Sequence, residues 1–371
     1  SYLGTPTSGV SFGTGVVANT SSGVALGGHT INANGAGASI LGGKTNTVTG
    51  DFSSIGGGES NLVLGESTII FGGQSHAVTG DGTVILGGYN NSVSGNYSVI
   101  VGGASNNVTT IHSMIGGGHE NTITANAGTI GGGGENLVSG EFSVVAGGFQ
   151  NTVTANRQVR GGSDINLLAA SFIGGGSQNY IVGQGSHIGG GLHNQIKGSE
   201  NSIGAGSYNQ IQGSGSVISG GRSQSIQGIG SVVFGGEAHQ VNGSYSTVQG
   251  GDGHQIQGDM TTVGGGMGHR SEGYGHVING GDEHWVSGIH GTISGGEKNV
   301  VAGSYGTIGG GQTNLVSGKY AAVLGGYNNE ASGDGSVAMG RHAKATHDGS
   351  FVWSDGAESI GLSTERDNQF I

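Results

Sequence analysis

The sequence predicts an all-β fold, a parallel β-solenoid or β-roll of about 23 coils built on a 15-residue repeat. Three observations carry the prediction. Glycine supplies 88 of the 371 residues, whereas an ordinary globular domain holds about 7%. The glycines are also periodic: with the second Gly of each Gly-Gly pair as a marker, Gly28, Gly43, Gly58 and so on to Gly148 follow at intervals of 15. The next intervals, to Gly162 and Gly176, are 14; from Gly191 to Gly326 they return to 15, and Arg341 takes the marker place in the last copy. Third, two aliphatic columns keep step with the marker. One lies three residues before it (Ile40, Ile55, Ile70, through Ile173 to Ile308 and Val323) and the other five residues after it (Val48, Val63, Val78, through Ile181 to Val316). A helix is excluded, because each interior Gly costs about 1 kcal/mol relative to Ala and no 3.6-residue apolar spacing occurs. Collagen is excluded by the single proline, Pro6.

The elements follow in order. Residues 1–7 form a lead-in, 8–348 the repeat domain and 349–371 an exit segment. Val10-Ser11-Phe12-Gly13 is a weaker copy ahead of the first marker. Each later copy reads Ser-x-Ile-x-Gly-Gly-x-x-Asn-x-Val-x-Gly: two short β-prone segments, each with one inward branched aliphatic, joined by Gly-rich turns. Stacked at a strand spacing of about 4.8 Å, the coils predict a rod roughly 110 Å long. The copies between Gly148 and Gly176 carry Arg157, Arg160 and Asp164 where others have small residues and Asn; a tolerated defect is expected there rather than a bulge that re-aims the surface. Two aliphatics per coil are little to set against an ordering cost of about 1–2 kcal/mol per residue. A second apolar stripe lies on the opposite side of the same segments: Ile69, Val84, Val99, Val144, Val217, Val232 and Val277, with Leu41, Phe71, Leu86, Val101, Phe234 and Leu324. Such a stripe predicts a partner, of which the simplest is another copy of the chain.

Segments such as Ser336-Val337-Ala338-Met339-Gly340 and Ser98-Val99-Ile100-Val101-Gly102, each followed by a small-polar-x-aliphatic-x-Gly turn, resemble the YadA-like head repeats of trimeric autotransporter adhesins. The resemblance covers roughly residues 8 to 348 and departs in period, since that family's usual repeat is 14 residues. It implies a left-handed parallel β-roll and a homotrimer, intertwined or side by side. Gly340 to Asp355, then Asn368-Gln369-Phe370-Ile371, is similar to the exit segment that follows such repeats in phage tail fibres and bacterial surface proteins, where it leads into a C-terminal chaperone. The expectation is that the chain is a processed or truncated product.

Charge narrows the partners. The formal net charge is -12, and no Lys or Arg occurs between Lys44 and Arg157, so nucleic acid is not an expected partner. No stretch approaches the ~18 consecutive apolar residues of a membrane span, and no membrane insertion is expected. The absence of Cys excludes disulfides and thiolate metal sites. Ser1 opens on no basic or apolar leader, which predicts a signal already removed or never present.

Candidate sites are weighed column by column. The Asn column three residues after the marker (Asn46, Asn61, Asn91, through Asn299, Asn314 and Asn329) predicts side chains that hydrogen-bond from coil to coil and to the turn backbone, rather than a ligand-binding ladder. In that column His239, His254, His269 and His284 follow one another, with His76 as a precedent. They are weak candidates for a metal site, and substitution for Asn in the stack is the favoured reading. The Gly-Gly pairs lack the helix start and Lys of a phosphate loop. A glycosidase needs two carboxylates at a set separation, which in a trimer could come from different chains; among those in the variable turn (Glu59, Glu120, Glu135, Asp164, Glu237, Asp252, Asp282, Glu283 and Glu297) no pair stands out from the rest. No catalytic residue and no cofactor is expected. Among aromatics, Tyr89, Phe149 and Tyr327 directly follow the marker and Tyr208 lies one place on; these four are the candidate ligand-binding residues. Phe52, Tyr97, Phe142, Tyr245, Tyr305 and Tyr320 share a column nine residues after the marker, where packing between coils or chains is expected. The resulting expectation is an extracellular trimeric fibre for attachment to a cell surface through a host glycan or protein, as a phage tail fibre or tailspike segment. A bacterial surface adhesin is the alternative, and a capsule polysaccharide depolymerase the third reading.

Overall fold

In an extended segment successive side chains alternate between faces, so an aliphatic flanked by small or polar residues turns inward. The computed structural model, which describes residues 10–18, 22–154, 170–356 and 361–371, follows this rule in every coil. It is an all-β parallel solenoid of about 22 turns, and the described residues contain no helix. A coil has two strands of mostly two residues each. The first carries the Ile column, as in Ser54–Ile55 and Val99–Ile100; the second carries the Val column, as in Leu62–Val63 and Asn107–Val108. Within each stretch of coils a strand pairs in parallel with its counterpart one coil on, as Ile55 opposite Ile70 and Val63 opposite Val78. From Ile40 to Val323 the described first column is fully buried, and so is the second from Val48 to Val316. One position in the second column holds the polar Ser271.

The chain divides into two compact units, residues 1–193 and 194–371, each built of the same coil. In the first, the weak copy at Val10–Thr14 does join the ladder, pairing with Val24–His29. In the second, the ladder continues through Val337–Arg341 to Phe351–Ser354, and Phe370 bridges Phe351.

The marker glycine is set by two constraints. Gly58 has φ +96°, a conformation that costs residues with a Cβ about 1–2 kcal/mol, and a Cβ there would run into the Gly73 carbonyl of the next coil. Gly57, immediately before it, has nothing within 4 Å of a Cβ. Non-glycine residues take the left-handed conformation two and nine places after the marker, as at Ser60 (φ +58°) and Tyr97 (φ +55°). Their N–H groups donate back to the preceding coil, Ser60 to the Lys44 carbonyl at 2.9 Å and Tyr97 to that of Asp81 at 2.8 Å.

Two features of the expected register are corrected. Val145 pairs directly with Ile173, and Asn179 N–H donates to Asn151 Oδ1 at 3.1 Å, so the ladder steps 28 residues at once and no coil centred on Gly162 stands between them. The reason is legible in the residues: that copy offers Arg157 to the buried Ser column and Ile165 to the buried Asn column, and burying an unpaired guanidinium is prohibitive. Arg157, Arg160 and Asp164 themselves, like Pro6, lie outside the described residues. At the other end Gly340, not Arg341, takes the marker role. Gly340 has φ +98° and lies opposite Gly326, while Tyr327 lies opposite Arg341. The local period there is 14, and only the glycine accepts that backbone.

Candidate functional site

The inner polar columns are structural. Asn121 Nδ2 donates to the Gly117 and Gly133 carbonyls at 3.0 and 2.9 Å, and its Oδ1 accepts the Asn136 backbone N–H at 3.1 Å. One side chain thus joins two successive coils and satisfies groups that the turn would otherwise bury unpaired. A hydroxyl column five residues before the marker does the same: Ser231 Oγ donates to the Gly243 carbonyl at 2.9 Å and accepts the Ser246 N–H at 3.1 Å.

His239, His254, His269 and His284 continue the Asn column, fully buried and stacked face to face at 4.6, 4.7 and 4.9 Å. Each Nδ1 accepts the backbone N–H of the next coil at 3.2 Å, ending at Asn299. That fixes the tautomer, because an accepting Nδ1 carries no proton, and Nε2–H of His254 and His269 points at the Gly250 and Gly265 carbonyls at 3.1 and 2.9 Å. The lone pair a metal would need is engaged by backbone in every ring. Burial, reinforced by the neighbouring rings, pushes the His254 pKa down to about 3; burial, with His269 adding to it, pushes His284 to about 4. Among the described residues no group of three or more His, Asp or Glu is placed to hold a metal ion.

The four candidate aromatics are exposed, and within each unit the two that it holds are not brought together. Tyr89 lies between Gln74 and Ala104 of the adjoining coils, and Phe149 between Gly134 and Ser177. Tyr208 is half exposed and left-handed at φ +59°. Tyr327 packs against Arg341, whose guanidinium lies 5.6 Å from the ring, and edge-on to His342 at 5.4 Å. The second aromatic column is exposed as well. Its members pack between coils in a way the sequence left unread: a Cβ on Gly82 would come within 2.8 Å of the Tyr97 ring, and one on Gly230 within 2.9 Å of Tyr245. A glycine in one coil is the shelf on which the next ring lies. Tyr305 and Tyr320 stack on each other at 5.0 Å.

Among the turn carboxylates, Glu59 pairs with Lys44 at 3.0 Å and Glu297 with Lys298 at 2.9 Å on the surface; such pairs contribute about 0–1 kcal/mol. A second carboxylate column, eight residues after the marker, escaped sequence reading. Asp51 accepts Ala36 N–H at 2.7 Å, Asp81 accepts Glu66 N–H at 2.9 Å, and Asp334 accepts Lys319 N–H at 2.9 Å. Its signal was the recurrence of Asp or Asn at that place.

What remains outward are two unlike sheet faces. The first-strand face carries an apolar patch: Ile69, Phe71, Val84, Leu86, Val99, Val101 and Met114 occupy four successive coils, with Phe71 61% exposed and Leu86 43%. The second-strand face is mixed: Thr47 and Thr49, Thr122 and Thr124 in the first unit and a run of Gln in the second make stretches of it polar, while Leu62 and Leu64 are exposed on it. Comparison with protein-family models and with curated proteins gave no match.

Proposed function

We propose that this chain is the shaft or receptor-binding segment of a homotrimeric fibre that attaches to a cell surface, of the phage tail-fibre or tailspike kind, working outside the cytoplasm. The observation that carries the reading is the apolar first-strand face. A patch spanning Ile69 to Met114 on four adjoining coils is larger and more regular than the scattered apolar residues of a monomer surface, and copies of one chain, each presenting it, would cover it around a symmetry axis. A fold of short repeated coils suits a fibre, because each coil needs only its neighbours. The turns then carry attachment, and the exposed rings of Tyr89, Phe149, Tyr208 and Tyr327 are the contacts proposed for a surface glycan or protein.

One observation favours the bacterial adhesin as the second reading. The last coils run at a period of 14, with Ala331 opposite Ala345, which is the usual repeat of the YadA-like heads that the sequence resembles. Attachment is tested by incubating the purified, fluorescently labelled chain with Gram-negative cells of several surface types. Saturable retention that unlabelled chain competes away supports the proposal; no retention on any of them counts against it.

A further inference from the structure

Resting on the attachment reading above, we propose that the second-strand face of the C-terminal unit between Gln210 and Trp285 binds a neutral polysaccharide chain laid along the coil axis. The outward positions here are Gln210 and Gln212, then Ser225 and Gln227, Gln240 and Asn242, Gln255 and Gln257, so four successive coils present seven carboxamides and no charge. Parallel pairing holds them in register, with Gln210 opposite Ser225 and Gln240 opposite Gln255.

A ladder that merely stabilised the stack would bond amide to amide. Gln210 Nε2 does so with Gln195 Oε1 at 2.8 Å. Gln212, Gln227, Gln240, Asn242, Gln255 and Gln257, by contrast, are exposed and make no side-chain hydrogen bond among the described residues. Each carboxamide offers two donors and an acceptor, the complement of a sugar hydroxyl, which both donates and accepts. Neighbouring strands place equivalent amides about 4.8 Å apart, close to the rise of one pyranose ring in an extended chain.

The same column ends on an aromatic platform. Two coils beyond Gln255 stands Trp285, exposed, with Arg270 in the coil between and its guanidinium 5.8 Å from the indole. Arg270 is neutralised by Glu272, its Nε donating to Oε1 at 2.6 Å. An anionic polymer therefore finds no free cation on this stretch and meets a chain of net charge -12, which is why the ligand is assigned as neutral. A protein partner fits less well, because desolvating exposed amides costs energy unless each is re-paired, and the apolar face is on the other strands.

The test uses the full chain carrying Trp353→Phe, which leaves Trp285 the sole tryptophan of the two. Its emission is titrated with dextran, mannan, galactomannan, xylan and a soluble β-1,4-glucan, with dextran sulfate as the charged control. The expected result is a saturable shift with at least one neutral polymer, weakened at least tenfold when Gln212, Gln227, Gln255 and Gln257 are all changed to Ala in a variant of unchanged melting temperature. No saturable shift with any neutral polymer, undiminished affinity in the amide variant, or equal binding of dextran sulfate overturns the assignment. Cell attachment that survives the amide changes and disappears on protease treatment of the cells would overturn this face as the site and leave the attachment reading standing.

Discussion

Ser271 Oγ lies 2.8 Å from His276 Nδ1, and both side chains are fully buried. Each is out of place in its own column. Ser271 stands between Ile256 and Val286 in the aliphatic column, and His276 stands in the hydroxyl column, one coil after Thr261. Together they close a chain of bonds. His276 Nε2–H donates to the Gly288 carbonyl at 2.6 Å, so Nδ1 accepts from the Ser271 hydroxyl, which in turn accepts from Thr261 at 2.9 Å. Ser271→Val alone should destabilise the chain by about 1–3 kcal/mol, the cost of a buried acceptor left unpaired. Adding His276→Ser restores the pattern of the other coils, and urea unfolding of the double variant should return to the native midpoint or exceed it. A double variant as weak as the single one would show that the two residues are not compensating.

Two adjacent glycines, Gly57 and Gly58, differ in what they tolerate. Gly58→Ala places a Cβ against the Gly73 carbonyl at positive φ, whereas Gly57→Ala meets open space. The first should cost more than about 2 kcal/mol, from backbone conformation together with the clash, and the second less than about 1. Thermal unfolding of the two single variants decides it, and equal losses would refute the coil geometry.

Acid should weaken the histidine segment. Burial holds His239, His254, His269 and His284 below the ordinary imidazole value, with Asp252 opposing this at His239 and Asp282 at His269 and His284. In the unfolded chain these rings titrate near 6.5, so at lower pH the unfolded state binds more protons. Stability is therefore intact above about pH 6.5 and falls as pH drops toward the folded values of about 3 and 4 at His254 and His284, with a slope of up to about 1.4 kcal/mol per pH unit for each ring. Replacing all four by Asn, the residue their column otherwise carries, should flatten the loss between pH 6.5 and 4. An unchanged pH profile would mean that the rings do not carry it.

The exposed turn rings offer a separable test of attachment. Changing Tyr89, Phe149, Tyr208 and Tyr327 together to Ala should leave the melting temperature nearly unchanged, since none fills the core, and should weaken cell attachment by about 1–3 kcal/mol for each ring that is a true anchor. Undiminished attachment would move recognition off these turns.

The glycine period, both aliphatic columns and the stacking role of Asn and His were legible in the sequence, because each is a requirement repeated in one column. What escaped it lies between columns or breaks the count. The glycine arithmetic admits a coil at Gly162, but side-chain fit does not, with Arg157 and Ile165 at two buried places. Arg341 falls on the fifteenth residue, yet positive φ selects Gly340. The Gly82–Tyr97 shelf and the Ser271–His276 pair each join residues whose separate identities look like noise. The four candidate aromatics were correctly placed at the surface, but a one-dimensional period does not say that Tyr89 and Phe149 stand four coils apart.

The fibre reading rests on the apolar face around Phe71, Leu86 and Val101 being covered by further copies of the chain. Light scattering on the purified protein at micromolar concentration measures this directly. The account predicts a mass of three times 36.4 kDa, falling toward one chain when Leu86 and Val101 are both changed to Glu; a native protein of 36.4 kDa would contradict it.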